Sequence, residues 1–272
     1  MKNKLNFLVR LPCRSESPKA GRRMIPQLSF FRSSLLALAL LAVTGPAHAA
    51  DGPTPFPDAK DEAAWPGKGP IRVHPWMVDN RKYFWTQREK DHGAVVFVGD
   101  SLTGNWKSLA KMFPNLKVAN RGIGGDVTRG VLFRFKEDVL SLQPRALVLL
   151  AGTNDLSAHA NPADAEANLA AILAQAWDQN PALPVVLCQI PPRDSPVAPM
   201  KPGAFADLNA RIAKLAAGKE HLVLLDLTTP LADPDGKPHA EYFNDDHLHL
   251  AEPGYEKWAE LLRPALEKLG VK

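Results

Sequence analysis

Cysteine is nearly missing: Cys13 and Cys188 are the two in 272 residues. Cys13 lies in a segment read below as removed on processing, so the remaining chain cannot close an intramolecular disulfide. Cys188, inside Val185-Val186-Leu187-Cys188, reads as a buried strand residue rather than a nucleophile. Long apolar runs are missing too. The most apolar stretch, Ser33 to Val43, is about ten residues, too short to span a hydrocarbon core of roughly 30 Å. Neither an internal repeat nor a low-complexity tract is visible, and the formal net charge is only +4. Hydrophobic residues nonetheless make up 45% of the chain against 23% charged, enough for a packed core. The length fits one substantial domain with extensions.

The small positive charge is itself misleading. Arg32, the apolar run, a break at Gly45-Pro46 and then Ala47-His48-Ala49 form the layout of a secretory signal. The expectation is a signal region over 1–49, starting at Met24 and cleaved after Ala49, and hence an exported protein, periplasmic or secreted. Those 49 residues hold eight of the 33 basic side chains and one of the 29 acidic ones. Without them 25 basic and 28 acidic residues remain, net −3, and nucleic-acid binding loses its electrostatic motive. No stable membrane insertion is expected after processing.

Residues 50–75, rich in Pro, Gly and Asp, read as an extended leader over the surface, ahead of a domain at 76–272. Trp76 to His92 reads as a helix with Tyr83, Phe84 and Trp85 as its apolar surface. Short apolar runs follow at Ala94–Val98, Leu116–Ala119, Ala146–Leu150, Pro184–Gln189 and Leu222–Leu227. Their lack of polar alternation predicts strands buried on both faces of a parallel sheet. Helices are expected over Pro162–Asp178, capped by Asn161, and over Phe205–Ala217 and Glu252–Leu269, the last kinked at Pro264. Five strands alternating with helices predict an α/β fold, a three-layer α/β/α sandwich around a doubly wound parallel sheet. Sites in such sheets lie beyond the carboxyl ends of the strands.

Suggestive residues cluster there. Gly99-Asp100-Ser101-Leu102 follows the first strand, which sets a hydroxyl at a helix start where N–H groups are free; an ordinary helix-start Ser fits equally. A P-loop is excluded because Asn105-Trp106 replaces its Lys-Ser/Thr, and Thr103 breaks the G-x-S-x-G elbow. Gly122-Ile123-Gly124-Gly125 lacks the third glycine of a dinucleotide loop, Val127 standing there, and reads as a tight loop presenting an N–H or as a plain turn. Asn154, in Gly152-Thr153-Asn154-Asp155, can donate its amide to a developing oxyanion, or simply cap a turn. Asp245-Asp246-His247-Leu248-His249 offers a base with an orienting carboxylate, with a metal site as the rival reading and His247 as the competitor of His249. His159, His221 and His239 stand in no such cluster.

Together these four blocks, in this order over residues 90–265, resemble the SGNH/GDSL hydrolases. Asn120-x-Gly122-Ile123-Gly124-Gly125-Asp126 followed by Thr128-Arg129 is most similar to the catalytic subunits of platelet-activating factor acetylhydrolase Ib and their bacterial relatives. The resemblance implies a flavodoxin-like SGNH fold with Ser101 as nucleophile, His249 as base and Asp246 as its partner. It implies an oxyanion hole of Ser101 N–H, Gly125 N–H and the Asn154 side chain. The sequel His249-Leu250 and Gly254-Tyr255 favours His249 over His247, the extra histidine between the pair being a departure. No cofactor or metal is implied. The expected substrate is a small-molecule or glycan ester with a short, acetyl-type acyl group. Thioester or lysophospholipid hydrolysis, or a non-catalytic carbohydrate-binding module on the same fold, are the alternatives. No apolar lid segment is visible, and the relatives suggest a homodimer.

Overall fold

The computed structural model describes residues 51–272. The expected signal region of residues 1–49 lies outside them. Five strands, β1 Val95–Gly99, β2 Val118–Gly122, β3 Ala146–Leu150, β4 Val185–Cys188 and β5 Leu222–Leu225, form one parallel sheet in the order β2-β1-β3-β4-β5. Between them come α1 Pro75–Asp91, α2 Ser101–Gly104, α3 Leu109–Met112, α4 Thr128–Asp138, α5 Thr153–Ser157, α6 Pro162–Gln179, α7 Ala204–Ala216 and α8 Glu252–Lys268. This is the α/β architecture that the alternation of runs implies. Among the described residues no helix is long and apolar enough to cross a membrane.

Successive strand residues point to opposite layers. Val96, Val98, Leu147, Leu149, Val185 and Leu187 meet Val131, Phe135, Leu169, Ile172, Leu208 and Ile212 on one side. On the other, Val95, Phe97, Val148, Val186 and Cys188 meet Trp106, Phe113, Tyr255, Trp258 and Leu262. With both faces covered, every position of β1, β3 and β4 is buried.

The expected outlines shift where polar side chains do structural work. β2 runs later than expected because Asn120 and Arg121 belong to it. Arg121 pairs with Asp91 at 2.8 Å and donates to the Asp138 carbonyl, while Asn120 donates to the Thr103 carbonyl and accepts from Gly122 N–H. Helix α4 buries Thr128, Arg129, Arg134 and Asp138 alongside its apolar Val131, Leu132 and Phe135, so polar and charged residues share its inner face. In α1 only Phe84 of the three expected aromatics is buried; Tyr83 is exposed, and Met77 and Arg81 take the inner face. Helix α8 continues through Pro264.

The largest departure concerns the leader. Residues 51–74 are docked rather than merely laid over the surface. Trp65 is buried, stacked on Phe56 and tilted against Phe133. Arg129 donates to the carbonyls of Pro66, Gly69 and Glu62, and Asn168 exchanges hydrogen bonds with both the N–H and the carbonyl of Lys68. The segment is an arm clamped to α4 and α6, and it delivers the start of α1 to the carboxyl edge of the sheet.

At that edge one glycine permits the close approach on which the site depends. A Cβ on Gly122 would stand 2.2 Å from Gly104 N and 2.7 Å from Gly104 Cα, so any side chain at the end of β2 would drive α2 away. Glycine at Gly122 thus lets the helix that opens with Ser101 lie against the adjacent strand.

Candidate active site

Ser101 occupies the first position of α2, where its own N–H has no acceptor within the helix. Asp100 caps that turn, its Oδ1 accepting from Leu102 N–H at 2.9 Å. The far end of the helix layer is tied to the same turn: the Tyr255 hydroxyl, on α8, donates to the Leu102 carbonyl at 3.0 Å. The Ser101 Oγ lies 2.9 Å from His249 Nε2.

His249 comes from the loop between β5 and α8, closed by the bridge of Phe243 with Leu250 and by Asn244 N–H donating to the His249 carbonyl. Asp246 folds that loop about itself. Its Oδ1 accepts from the N–H groups of Leu248 and His249, at 3.0 and 2.9 Å, and its Oδ2 lies 2.5 Å from His249 Nδ1. The ionised carboxylate can only accept, so the ring proton sits on Nδ1 and the Nε2 lone pair faces the serine hydroxyl. Burial pushes the Asp246 carboxyl up, but hydrogen bonds from the His249 side chain, the His249 N–H and the Leu248 N–H outweigh it and hold the group below its ordinary range.

His247 is turned elsewhere. Its backbone is left-handed, at φ 53°, and its Nδ1 lies 2.8 Å from Asp194 Oδ1, while Asp194 N–H donates to the His247 carbonyl. It ties the loop after β4 to the His249 loop. The two histidines that could have shared a metal therefore face different partners.

The glycine loop after β2 borders the nucleophile: a Cβ on Gly124 would come within 3.9 Å of the Ser101 Cβ. Gly125 has φ 84°, a conformation that favours glycine, and its N–H donates to no other described group. Asp126 anchors the loop by a buried ion pair with Arg134 at 2.7 Å, and Arg134 also donates to the Gly99 carbonyl at the end of β1. Asn154 lies in the first turn of α5, beside this loop. Its Nδ2 donates to the Asp126 carbonyl at 3.0 Å, which leaves one amide hydrogen, and its Oδ1 accepts from Arg72 at 3.2 Å. The structure thus brings Ser101, His249 and Asp246 into one chain of contacts, with Gly124–Gly125 beside the serine and Asn154 hydrogen-bonded to the same loop.

The model of the GDSL-like Lipase/Acylhydrolase family matches residues 97–257, which include every one of these side chains except Arg72. The chain belongs to that family. Platelet-activating factor acetylhydrolase IB subunit alpha2 of Rattus norvegicus is 29% identical over 203 residues, covering 71% of this chain and 84% of the relative. Subunit alpha1 of Pongo abelii is 28% identical over 240 residues, covering 84% and 93%. Among solved structures, a GDSL-like lipase from Bacteroides thetaiotaomicron superposes with a TM-score of 0.62 at 27% identity, over 69% of this chain and 97% of that one. This GDSL protein is a hydrolase of ester bonds.

Buried acids support the GDSL site from below. Asp155 accepts from the N–H and hydroxyl of Thr128, at 2.9 and 2.7 Å, and burial pushes its carboxyl up to about 6. Arg193, buried on the other flank, donates to the carbonyl and hydroxyl of Thr153 and to Ser157. Asp100 is fully buried. Burial above all, together with the Asp126 and Asp155 charges, raises it to about 7 against the opposing pull of the Leu102 N–H and Arg193. An unfolded aspartate titrates near 3.9, so the folded state holds this proton more tightly. The associated stability is present at low pH and lost as pH rises through about 7. Asp100→Asn keeps an acceptor for Leu102 but has no proton to lose. Melting curves at pH 5 and pH 8 should show the wild type losing more Tm across that interval than the variant, by about 3 °C or more. Parallel losses would mean that Asp100 does not titrate there.

Sequence reasoning missed Arg72, Trp76, Arg134 and Arg193. Arg72, Trp76 and Arg193 meet their site partners across tens of residues of chain, and the Arg134–Asp126 pair, eight residues apart, spans a loop and a helix turn that no spacing rule marks.

Proposed function

We propose that the enzyme is a serine esterase that removes short acyl groups, above all acetyl, from esterified hydroxyls of carbohydrates through an acyl-enzyme on Ser101. The observation that carries this reading is the unbroken contact chain Asp246–His249–Ser101, at 2.5 and 2.9 Å. His249 takes the Ser101 proton as the oxygen attacks the ester carbonyl. The oxyanion is held by the Ser101 and Gly125 N–H groups and by the free N–H of Asn154. His249 then hands its proton to the departing alcohol. Water repeats the sequence in the second half-reaction, its proton passing to His249 and on to Ser101 as the acid leaves.

A short acyl group is supported by the names of the relatives, which are acetylhydrolases. A sugar as the alcohol part is supported by the wall beside the glycine loop. There the half-exposed Trp76 ring stacks on His74 at 4.3 Å between centroids and lies next to Gly125, a flat apolar face against which pyranose C–H bonds can pack. The export signal read at residues 32–49 fits an enzyme acting on glycans outside the cytoplasm.

The test is a substrate profile. Against p-nitrophenyl acetate, butyrate and octanoate, kcat/KM should fall by roughly tenfold or more from acetyl to octanoyl. Acetate should also be released from acetylated xylo-oligosaccharides. A preference for octanoyl, or for a lysophospholipid over both, would overturn the acyl and sugar assignments in favour of lipid-type substrates.

A further inference from the structure

Two of the three proposed oxyanion donors belong to amides whose carbonyl ends are held by Arg72, at the end of the arm, and by Trp76, in the first turn of α1. The first is the peptide joining Gly124 to Gly125. The indole Nε1–H of Trp76 donates to the Gly124 carbonyl at 2.9 Å. In a planar trans peptide the C=O and the next N–H point to opposite sides. Fixing the Gly124 oxygen toward Trp76 therefore fixes the Gly125 N–H toward the other side of the loop. The second is the side-chain amide of Asn154. Arg72, which can only donate, meets Oδ1 at 3.2 Å, while the Asp126 carbonyl, which can only accept, meets Nδ2 at 3.0 Å. Held at both ends, that amide cannot flip, and its second N–H is the one left to donate.

We propose that Arg72 and Trp76 are positioning residues that aim and strengthen the two remote oxyanion donors from behind, so that the docked arm completes the active site. The inference rests on the serine-esterase reading above. A donor on an amide oxygen draws electron density from the amide and strengthens its N–H as a donor, more so when the donor is a cation, as at Arg72. The arm is built to hold such positions. Arg129 and Asn168 clamp residues 62–69 to α4 and α6, Pro75 starts α1 directly after His74, and the buried Met77 packs against the Gly125 position. A displacement of about 1 Å in a catalytic donor is enough to cost one to two orders of magnitude in rate.

The test measures kcat and KM separately for purified variants with p-nitrophenyl acetate. Arg72→Met should lower kcat about tenfold with KM within about twofold, and Arg72→Lys, which keeps a donor, should recover part of the loss. Trp76→Phe keeps an aromatic ring on the same stem but removes the indole N–H; it should cost a few-fold in kcat. Asn154→Ala alone should cost on the order of 10²–10³. In that background Arg72→Met should change nothing further, whereas Trp76→Phe should keep its own effect. Wild-type kcat in Arg72→Met, or the same loss with and without Asn154, would overturn the proposal while leaving the esterase reading intact. Undiminished kcat in Asn154→Ala would instead sink the oxyanion assignment on which it rests. Arg72 is part-exposed, so unchanged melting of its variants is expected and separates positioning from folding.

Discussion

Purified Ser101→Ala protein is expected to hydrolyse p-nitrophenyl acetate on the order of 10⁴–10⁶-fold more slowly than the wild type. The change removes one oxygen and nothing that the fold uses. The Ser101 Oγ makes a single hydrogen bond, to His249, and the turn that carries it is held by Asp100 and Tyr255 through Leu102. Melting should therefore stay close to wild type while acylation ceases. Residual turnover would come from water attacking an ester still polarised by the oxyanion donors. A fluorophosphonate should label the wild type at Ser101 and leave the variant unlabelled. Undiminished hydrolysis by the variant would refute the nucleophile, and an unlabelled, inactive wild type would point to a binding module on a hydrolase fold.

What the chain betrays before folding depends on whether a residue's job is local. β3 could be read residue for residue because both its faces are apolar and nothing polar interrupts Ala146–Leu150. The Asp246–His249 pair was visible because three residues in one loop bring the two side chains together, with Asp246 closing the loop on the backbone N–H groups between. Helix α4 is harder to read because its job is only partly local. Val131, Leu132 and Phe135 form an apolar stripe, but the buried Arg134 and Asp138 beside it belong to a charge network with Arg81 and Asp126, and charged residues ordinarily mark an exposed face. The arm reads as surface because Pro, Gly and Asp are what exposed segments contain. What docks it is a few distant partners, such as Asn168 for Lys68 and Asn154 for Arg72, and pairings of that range leave no spacing to detect. The sequel His249-Leu250 and Gly254-Tyr255 favours His249 before folding, but where the His247 ring goes needs three dimensions. The left-handed backbone at His247 sends its ring to Asp194, and no feature of Asp-His-Leu-His spelling says so.

That last distinction gives Asp246→Asn its force as an experiment, because the variant should lose on the order of 10⁴ in kcat although it changes one atom. The carboxylate has two tasks on two oxygens: Oδ1 accepts from the Leu248 and His249 N–H groups, and Oδ2 receives His249 Nδ1–H. An asparagine must keep its oxygen toward the two backbone donors or leave both buried against an NH₂ group. Its nitrogen is then forced to face Nδ1, and an amide N–H there requires a lone pair on that ring atom. The imidazole proton moves to Nε2, where it points at Ser101 and can no longer accept from it. The loop should stay folded, since both backbone contacts survive, so melting is expected within a few degrees of wild type. The wild-type carboxyl is held below its ordinary range, so its own protonation should not set the acid limb of the wild-type rate profile. If His247 were the base, its partner Asp194 would be the sensitive carboxylate. Asp246→Asn would then be mild and Asp194→Asn severe. Activity of Asp246→Asn within tenfold of wild type would therefore transfer the role to the second pair.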